Sequence, residues 1–207
     1  MKRDTNENFS DGALPDGGLL IRPARKADAR QIARLFLMSS DGVAAYIWSK
    51  AAAATGDLLD IGAARYAREN TAFSYQNCHL AEIGGQICGM LHAFEMEAGG
   101  DPETDPVLRP YSELEDPGSL YVSAIAVDEA FRRRGIGRRL LDFAEGLAVE
   151  RALPRVSLIC AELNKPALAL YLARGYGIAD RRAVVPHPSL HYDDGDAYLM
   201  VKAVGAP

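Results

Sequence analysis

The sequence predicts a single mixed α/β domain with helices flanking a central sheet. Its 207 residues suit one large domain, and 48% hydrophobic with 25% charged residues is an ordinary composition for a globular protein. Apolar residues recur with the period of a strand in some segments and of a helix in others, separated by glycine and proline. The order is a strand, several helices, three strands, a helix, a strand, a helix and two strands. This order contains no internal repeat and indicates a mixed, mostly antiparallel sheet.

Local patterns predict the individual elements. LLIRPA, residues 19–24, is typical of a strand, and Asp28 is placed to cap the helix that follows. The alanine-rich residues 41–69 predict one or two more helices, and Gly84-Gly85 predicts the turn of a hairpin. The later elements are predicted as strands at 120–127, 155–163, 183–185 and 197–201, a helix from Ile136 to near Pro154, and a short helix from Pro166 closed by Gly175.

Two segments are predicted to lie outside this regular framework. Residues 1–18 are polar and rich in glycine and aspartate, which predicts a flexible tail before a domain over 19–207. Residues 98–119 hold four prolines and three glycines and are predicted as an irregular loop. Six carboxylates against Arg109 make the loop acidic, so it is either a solvated surface loop or the cover of a site that receives cations.

Charge and cysteine content exclude several classes of protein. Lys and Arg number 23 and Asp and Glu 28, a net charge of −5, which argues against general nucleic-acid binding. Three cysteines are too few for a disulfide framework, and no apolar run suits a signal peptide or a membrane span. Cys88 and His92 share a strand face but lie about 13 Å apart, too far to bind one zinc ion. We expect a cytoplasmic protein with no metal and no nucleic-acid or membrane partner.

The segment AFRRRGIGRRL, residues 130–140, concentrates five arginines where a strand gives way to a helix. Gly135 and Gly137 let backbone N–H groups approach an anion closely, and the unpaired amides of the helix start point at the same place. Arginine adds planar donors that suit phosphate oxygens. A P-loop would require a following Lys and Ser or Thr, and a dinucleotide fingerprint would require glycine where Leu140 stands. The segment is therefore interpreted as a phosphate or pyrophosphate loop of another kind.

The pattern Arg132-x-x-Gly135-x-Gly137 between a strand and a helix resembles the acetyl-CoA pyrophosphate loop of the GNAT superfamily of N-acetyltransferases. A second segment, NKPALALYLARGY, follows the next strand and resembles the second signature of that family, N-x-x-A-x-x-L-Y-x-x-x-G-[FY]. It matches at Asn164, Ala167, Leu170, Tyr171, Gly175 and Tyr176. The resemblance implies a GNAT-like fold with a splayed acetyl-CoA cleft in the sheet.

The resemblance also implies roles for individual residues. Tyr171 is the catalytic candidate, because a neutral phenol can donate to the departing CoA thiolate. Asn164 is expected to hold the pantetheine or the splayed strand ends, although an N-cap role explains it equally well. The backbone of Ile125, Ala126 and Val127 is expected to line the pantetheine arm. The pyrophosphate is assigned to the loop residues Arg132, Arg133, Arg134, Gly135, Ile136, Gly137 and Arg138, and Arg138 or Arg139 is a candidate for the additional phosphate of the nucleotide.

The general base is the part that the resemblance does not supply. Members similar to histone acetyltransferases carry a glutamate eleven residues before the arginine motif, and this sequence has Tyr121 there. Glu95 and Glu97, placed at alternate positions of the preceding strand, are the candidates for a base or an ammonium anchor. Solvent-facing glutamates at the end of a strand are the plainer interpretation of the same pair.

The functional prediction is direct transfer of an acetyl group from acetyl-CoA to a primary amine of a small cationic molecule, a peptide or a protein. The main alternative is a CoA-binding sensor or interaction module with little catalysis, which the tyrosine at position 121 keeps open. The acceptor and the oligomeric state are left open, a homodimer through sheet edges included.

Overall fold

The computed structural model describes residues 18–51 and 56–205, which form a seven-stranded sheet flanked by helices. The strands lie in the order β1-β2-β3-β4-β5-β7-β6, so the element order expected from the sequence and the mixed α/β class are confirmed. The strands are β1 (Leu19–Pro23), β2 (Cys78–Ile83), β3 (Gln86–Glu95), β4 (Leu120–Val127), β5 (Arg155–Ala161), β6 (Gly177–Ala183) and β7 (Asp196–Ala203). The helices are α1 (Ala29–Ser39), α2 (Val43–Ala51), α3 (Leu58–Tyr66), α4 (Arg109–Ser112), α5 (Ile136–Glu150) and α6 (Lys165–Ala173).

Two antiparallel blocks make up the sheet. Strands β1 to β4 form one block and β5, β7 and β6 form the other. A parallel pairing of β4 with β5 joins them, and in the described residues it spans Leu120–Val122 against Val156–Leu158. Because β4 continues to Val127 and β5 to Ala161, the two strands separate beyond these three pairs. The sheet is therefore split into a wedge whose closed end lies at the start of β4.

A β-bulge in β4 coincides with the place where the strands separate. His92 of β3 pairs with Ala124 and Ala93 pairs with Val122, which leaves Ser123 as an extra residue. A bulge bends its strand and reverses which residues face each side of the sheet. Val122 accordingly packs in the core beneath α5, whereas Ala124 packs against α1 on the opposite face. The bulge turns β4 away from β5 at the residue after the last pair.

Polar contacts hold the closed end of the wedge. The buried hydroxyls of Ser119 and Ser157 lie 2.6 Å apart, one on each side of the β4–β5 junction. Arg155, at the start of β5, donates two hydrogen bonds of 2.7 Å to the Asp116 carboxylate and a third to the Pro117 carbonyl. Such a bidentate pair fixes geometry as well as distance. The two blocks are thus tied firmly at one end and free to diverge at the other.

Both faces of the sheet carry an apolar core. Helix α5 covers one face through Ile136, Leu140, Leu141 and Ala144, each 1% exposed or less. Helices α1 to α3 cover the other face, where Phe36, Tyr66 and Phe73 surround the fully buried His92. The His92 ring lies 3.0 Å from the Ala72 carbonyl through Nε2 and 3.3 Å from the Tyr66 hydroxyl through Nδ1. A neutral imidazole satisfies both contacts, donating to the carbonyl and accepting from the hydroxyl.

Most predicted elements are confirmed, and three local predictions are wrong. The hairpin turns at Gly84-Gly85, and the 98–119 loop contains only the single turn α4. The sixth strand was expected near 183–185 but lies over Gly177–Ala183, because it is an exposed edge strand whose polar residues hide its period. Asp28 does not cap α1 through its side chain; its carboxylate accepts from the Arg25 amide and from Arg22. Strand β3 ends at Glu95, so Glu97 is not on the strand as expected.

In the described ranges, no helix has the length and apolar character needed to cross a bilayer. The predicted tail over residues 1–18 falls almost wholly outside the described residues, so its flexibility stays a prediction, as does the cytoplasmic location.

The buried His92 predicts a loss of stability in mild acid. Burial lowers the pKa of His92 from 6.5 to about 4, so the unfolded chain binds a proton more readily than the folded one. The contribution of neutral His92 to the free energy of unfolding is complete above about pH 6.5. It is lost progressively as pH falls toward 4, by about 3 kcal/mol in all.

Urea unfolding of the wild type and of His92→Gln at pH 7.5, 6 and 5 measures this effect. The glutamine can donate and accept but does not titrate, so the free energy of unfolding should fall less between pH 7.5 and 5 in the variant. Parallel pH dependences in the two proteins would contradict the assignment to His92.

Candidate active site

The open end of the wedge exposes backbone groups of β4. Over residues 123–127 the groups that point away from β3 have no partner on β5 among the described residues, and the Val127 carbonyl accepts instead from the Arg132 side chain. The side chains of Ile125 and Val127 are half-buried against the core beneath α5. Unpaired strand amides and carbonyls can bind an extended chain of amide groups in the manner of an added strand. This edge lies between the two blocks and leads directly to the arginine-rich loop.

The loop between β4 and α5 presents free backbone donors. Arg133 and Gly135 have left-handed backbone angles, with φ of 63° and 77°, and Gly135 is the N-cap of α5. The first amide of this region that donates to the helix backbone is that of Arg139, which bonds the Gly135 carbonyl at 3.1 Å. The amides that open a helix have no acceptor within it and carry the positive end of its dipole. Together these amides form a concave group of donors.

The arginine side chains around this loop divide into two kinds. Arg132 donates to the Val127 carbonyl at 3.3 Å, and Arg134 donates to the Ala130 carbonyl at 3.4 Å and lies over the Phe131 ring. These two side chains brace the loop itself. Arg133 and Arg138 are exposed and extend the positive surface beyond it.

The loop fits a pyrophosphate in chemistry and in space. Backbone amides and guanidinium groups are the donors that phosphate oxygens accept from, and a Cβ built on Gly135 meets nothing within 4 Å. Ile136 contributes only its backbone, because its side chain is 1% exposed in the core.

A cavity of about 1000 Å³ lies on the other face of the sheet, between α1, α2, the 70–77 segment and the acidic loop. Tyr121 and Ser123 of β4 and Ile159 and Ala161 of β5 line it, so the cavity reaches the split between the strands. Five carboxylates line its described part, namely Asp41, Glu95, Glu97, Glu103 and Glu115. Arg65 and Arg151 also line it, so carboxylates outnumber cations five to two among the described lining residues, which favours a positively charged occupant.

Tyr171 lies on α6, packed against the core on the α5 side, and does not line this cavity in the described structure. Burial raises the pKa of Tyr171 above its usual value, and the neighbouring Cys160, Asp41 and Tyr121 add to the effect. A phenol in this environment keeps its proton at neutral pH and can donate it.

Comparison with known proteins places the chain in a family. Residues 46–176 match the model of the acetyltransferase (GNAT) family. The chain belongs to the GNAT family of acetyltransferases. An 85-residue segment is 35% identical to GCN5-related N-acetyltransferase 4, chloroplastic, from Arabidopsis thaliana, and covers 40% of this chain and 29% of that protein. The match thus spans less than a third of that relative's length.

Solved structures agree on the fold. A crystal structure of an acetyltransferase has a TM-score of 0.62 and 22% identity over 90% of this chain and all of that one. The ribosomal-protein-S18-alanine N-acetyltransferase of Escherichia coli has a TM-score of 0.58 and 16% identity over 91% and 96% of the two chains. At these identities the likeness concerns the fold. The predicted family and GNAT-like fold are confirmed, and membership supports an acyltransferase that uses acetyl-CoA.

Asn164, the first residue of the second GNAT signature, has both ends of its amide engaged. Its Oδ1 accepts from the Ala167 amide at 3.3 Å, which caps α6. Its Nδ2 donates to the Asp41 carboxylate, at 3.1 Å to one oxygen and 3.4 Å to the other. The N-cap interpretation is therefore observed, together with a side-chain contact that the sequence did not suggest.

Asp41 is the residue of this site that sequence analysis missed. It lies between α1 and α2 in a left-handed conformation, with φ of 50°, and lines the cavity. Its carbonyl accepts from the His191 amide at 2.9 Å. Burial raises the pKa of the Asp41 carboxyl, while Asn164 and His191 oppose the rise. An Asp-Gly pair is typical of a turn, but residues 41–69 were predicted as helices, and the pair gives no sign of a partner 123 residues away.

Glu95 and Glu97, the carboxylates predicted from the sequence, do line the cavity, and both are exposed. Glu115 lines it as well, and burial raises the pKa of its carboxyl. Tyr121 contacts Phe94 at a ring separation of 5.6 Å, and burial raises its pKa, with Glu115 adding to the rise. The position of the missing glutamate is thus occupied by a neutral phenol beside a carboxylate from the acidic loop.

Gly42 predicts a strong penalty for substitution, since a Cβ there would lie 2.0 Å from the Ser189 carbonyl oxygen. Its φ of 90° adds backbone strain. Gly42→Ala should lower the free energy of unfolding by at least about 2 kcal/mol. The matched control is Gly118→Ala, where φ is 79° and the space around the Cβ is open, with an expected loss of about 1 kcal/mol. Equal losses in thermal or urea unfolding would show that the contact with Ser189 does not matter.

Proposed function

We propose that this GNAT protein transfers the acetyl group of acetyl-CoA to a primary amine of a cationic acceptor, a small molecule or an amine of a peptide or protein. One observation carries the proposal. The split in the sheet joins an arginine-rich amide loop on one side to a cavity lined with carboxylates on the other. An anionic cosubstrate and a cationic acceptor would meet at the split.

The residues of the cosubstrate side would hold acetyl-CoA, which when bound supplies an activated acetyl thioester. The amides of residues 133–138 and the flanking guanidinium groups would bind the pyrophosphate, and the free edge of β4 would bind the pantetheine amides. Fixing the thioester at the split converts a bimolecular attack into one between held groups. Backbone amides near the bulge are the donors available to polarise the thioester carbonyl.

Tyr171 would act on the sulfur side of the reaction. The amine attacks the carbonyl carbon, the carbon–sulfur bond breaks, and the Tyr171 hydroxyl donates to the departing thiolate. Its raised pKa keeps the hydroxyl protonated before the reaction, so the donor is present at every turnover. The names of the relatives are consistent with an amine acceptor, since two of them are called N-acetyltransferases.

A panel of amines tests the function. Thiol release from acetyl-CoA would be followed with polyamines, free amino acids, peptides with free N-termini, lysine peptides and aminoglycosides. Tyr171→Phe should lower kcat about 100-fold or more with the preferred amine, because it removes the proton donor. The control is Tyr75→Phe, which removes a partly exposed hydroxyl that bonds Glu69 outside the cavity. A wild-type rate that is unchanged in Tyr171→Phe would remove the acid role. Binding of acetyl-CoA without thiol release in the presence of any amine would favour a CoA-binding sensor.

Direct attack, without an acetylated cysteine, makes a further prediction. The Cys160 thiol is 4% exposed near the split, and burial raises its pKa to about 12, so it is protonated at neutral pH and a poor nucleophile. Cys160→Ala should therefore keep kcat within about threefold of the wild type, and mass spectrometry after incubation with acetyl-CoA alone should find no acetyl group on Cys160. An acetylated Cys160 that the amine discharges would contradict direct attack.

A further inference from the structure

The acceptor side of the split holds one carboxylate that differs from the others in how it is built. Asp41 is fixed by three separate parts of the chain: the turn between α1 and α2, the N-terminus of α6 and the loop before β7. By comparison, Glu95, Glu97 and Glu115 are exposed, and the half-buried Glu103 accepts from the Asp105 amide within its own loop. The His191 amide and the turn hold the backbone of Asp41, and Asn164 holds its carboxylate. This support keeps the carboxylate in position relative to the split, which a group that handles protons requires.

The groups that face Asp41 are nearly all neutral. Asn164 contacts the Asp41 carboxylate directly. The charge of Asp41 raises the pKa values of the tyrosines and the cysteine around it. These neighbours come from α4, β5, α6 and the loop before β7, and His191 is the titratable base among them. The full set is Tyr111, Cys160, Asn164, Tyr171, His191 and Tyr192. No Lys or Arg of the described residues forms an ion pair with Asp41 within 4.0 Å, so its charge is available to a cation in the cavity.

We propose that Asp41 binds the ammonium group of the acceptor and removes the proton that must leave before the amine attacks. The inference rests on the proposed function. It places the general base, for which the family resemblance supplied no residue, in the turn between α1 and α2. The geometry is two-sided: Asp41 lines the acceptor cavity, whereas Tyr171 packs against the core beneath α5 and does not line the described part of that cavity.

The step balances as follows. The acceptor enters as an ammonium ion, and Asp41 takes one proton to leave the neutral amine, then passes this proton to solvent. The nitrogen lone pair forms the bond to the acetyl carbon, and the electrons of the carbon–sulfur bond pass to sulfur. The nitrogen gives its second proton to Asp41, and the thiolate takes one from Tyr171. Asp41 then releases its proton to solvent, and Tyr171 takes a proton from solvent. The net products are the acetylated amine, the free thiol of CoA and one proton.

Asp41→Asn isolates the charge. Asparagine has the same size and is, with aspartate and glycine, among the residues that best tolerate a left-handed φ, so the turn is kept. At pH 7, kcat/KM should fall about 100-fold or more, since the amine must then arrive already neutral. The deficit should shrink as pH rises past the pKa of the acceptor amine, because the neutral amine becomes abundant without help. A purely structural role for Asp41 predicts a deficit that does not change with pH and would overturn the proposal.

Two further variants sharpen the comparison. Asp193→Asn removes a charge from an exposed residue near the same loop and should leave kcat/KM and its pH profile unchanged. Glu115→Gln tests the competing carboxylate beside Tyr121. If the loss of kcat/KM shrank with rising pH in this variant but did not change with pH in Asp41→Asn, Glu115 and not Asp41 would be the base.

Binding separates this proposal from the proposed function. If no amine releases thiol, transfer to amines fails, but calorimetry with spermidine in the presence of CoA still measures recognition of the ammonium. The affinity should then fall at least tenfold in Asp41→Asn and stay constant in Asp193→Asn. Equal spermidine affinity in the wild type and Asp41→Asn would reject Asp41 as the ammonium ligand.

Discussion

The site depends on the short parallel pairing between β4 and β5. Three residue pairs join two antiparallel blocks, and Ser123 bulges out at the position where pairing stops. A longer pairing would close the split and satisfy the backbone groups of residues 123–127 within the sheet, so no edge would be left for a ligand. The Ser119–Ser157 contact and the Arg155–Asp116 pair resist opening at the closed end. The wedge is therefore a fixed feature of the sheet.

Charge is separated across this wedge. The chain has a net charge of −5, yet the segment at the start of α5 holds five arginines within eight positions. Along the described lining of the opposite cavity, five carboxylates face two arginines. Neither group neutralises the other, because the sheet lies between them. Each side can thus attract a ligand of opposite sign, and the low dielectric near the split strengthens these attractions relative to water.

The sequence predicted the parts of the site whose determinants are local. The arginine–glycine loop and the segment from Asn164 to Tyr176 are short motifs, and β4 was delimited correctly because its apolar run ends at charged residues on one side and glycine on the other. The exposed strand β6 was predicted at the wrong residues because an edge strand shows no alternation of buried and exposed positions. Asp41 was missed because its importance arises from a contact with Asn164, which no local pattern encodes. The bulge at Ser123 was missed for the same reason, since a bulge is a mismatch between two strands.

Burial is what allows a carboxylate to act as a base toward an amine. In water, removing a proton at pH 7 costs about 1 kcal/mol for an α-amine of pKa near 7.8 and about 4.6 kcal/mol for a lysine-like amine. An exposed carboxylate would hold the ammonium as an ion pair and so oppose its deprotonation. In a partly desolvated cavity, transfer of the proton from the ammonium to the carboxylate removes two charges at once, which lowers the cost of their burial. The burial that raises the pKa of Asp41 therefore reduces the difference between that pKa and the pKa of the acceptor ammonium. The same desolvation keeps Tyr171 protonated, so one physical effect would prepare both the proposed base and the proposed acid.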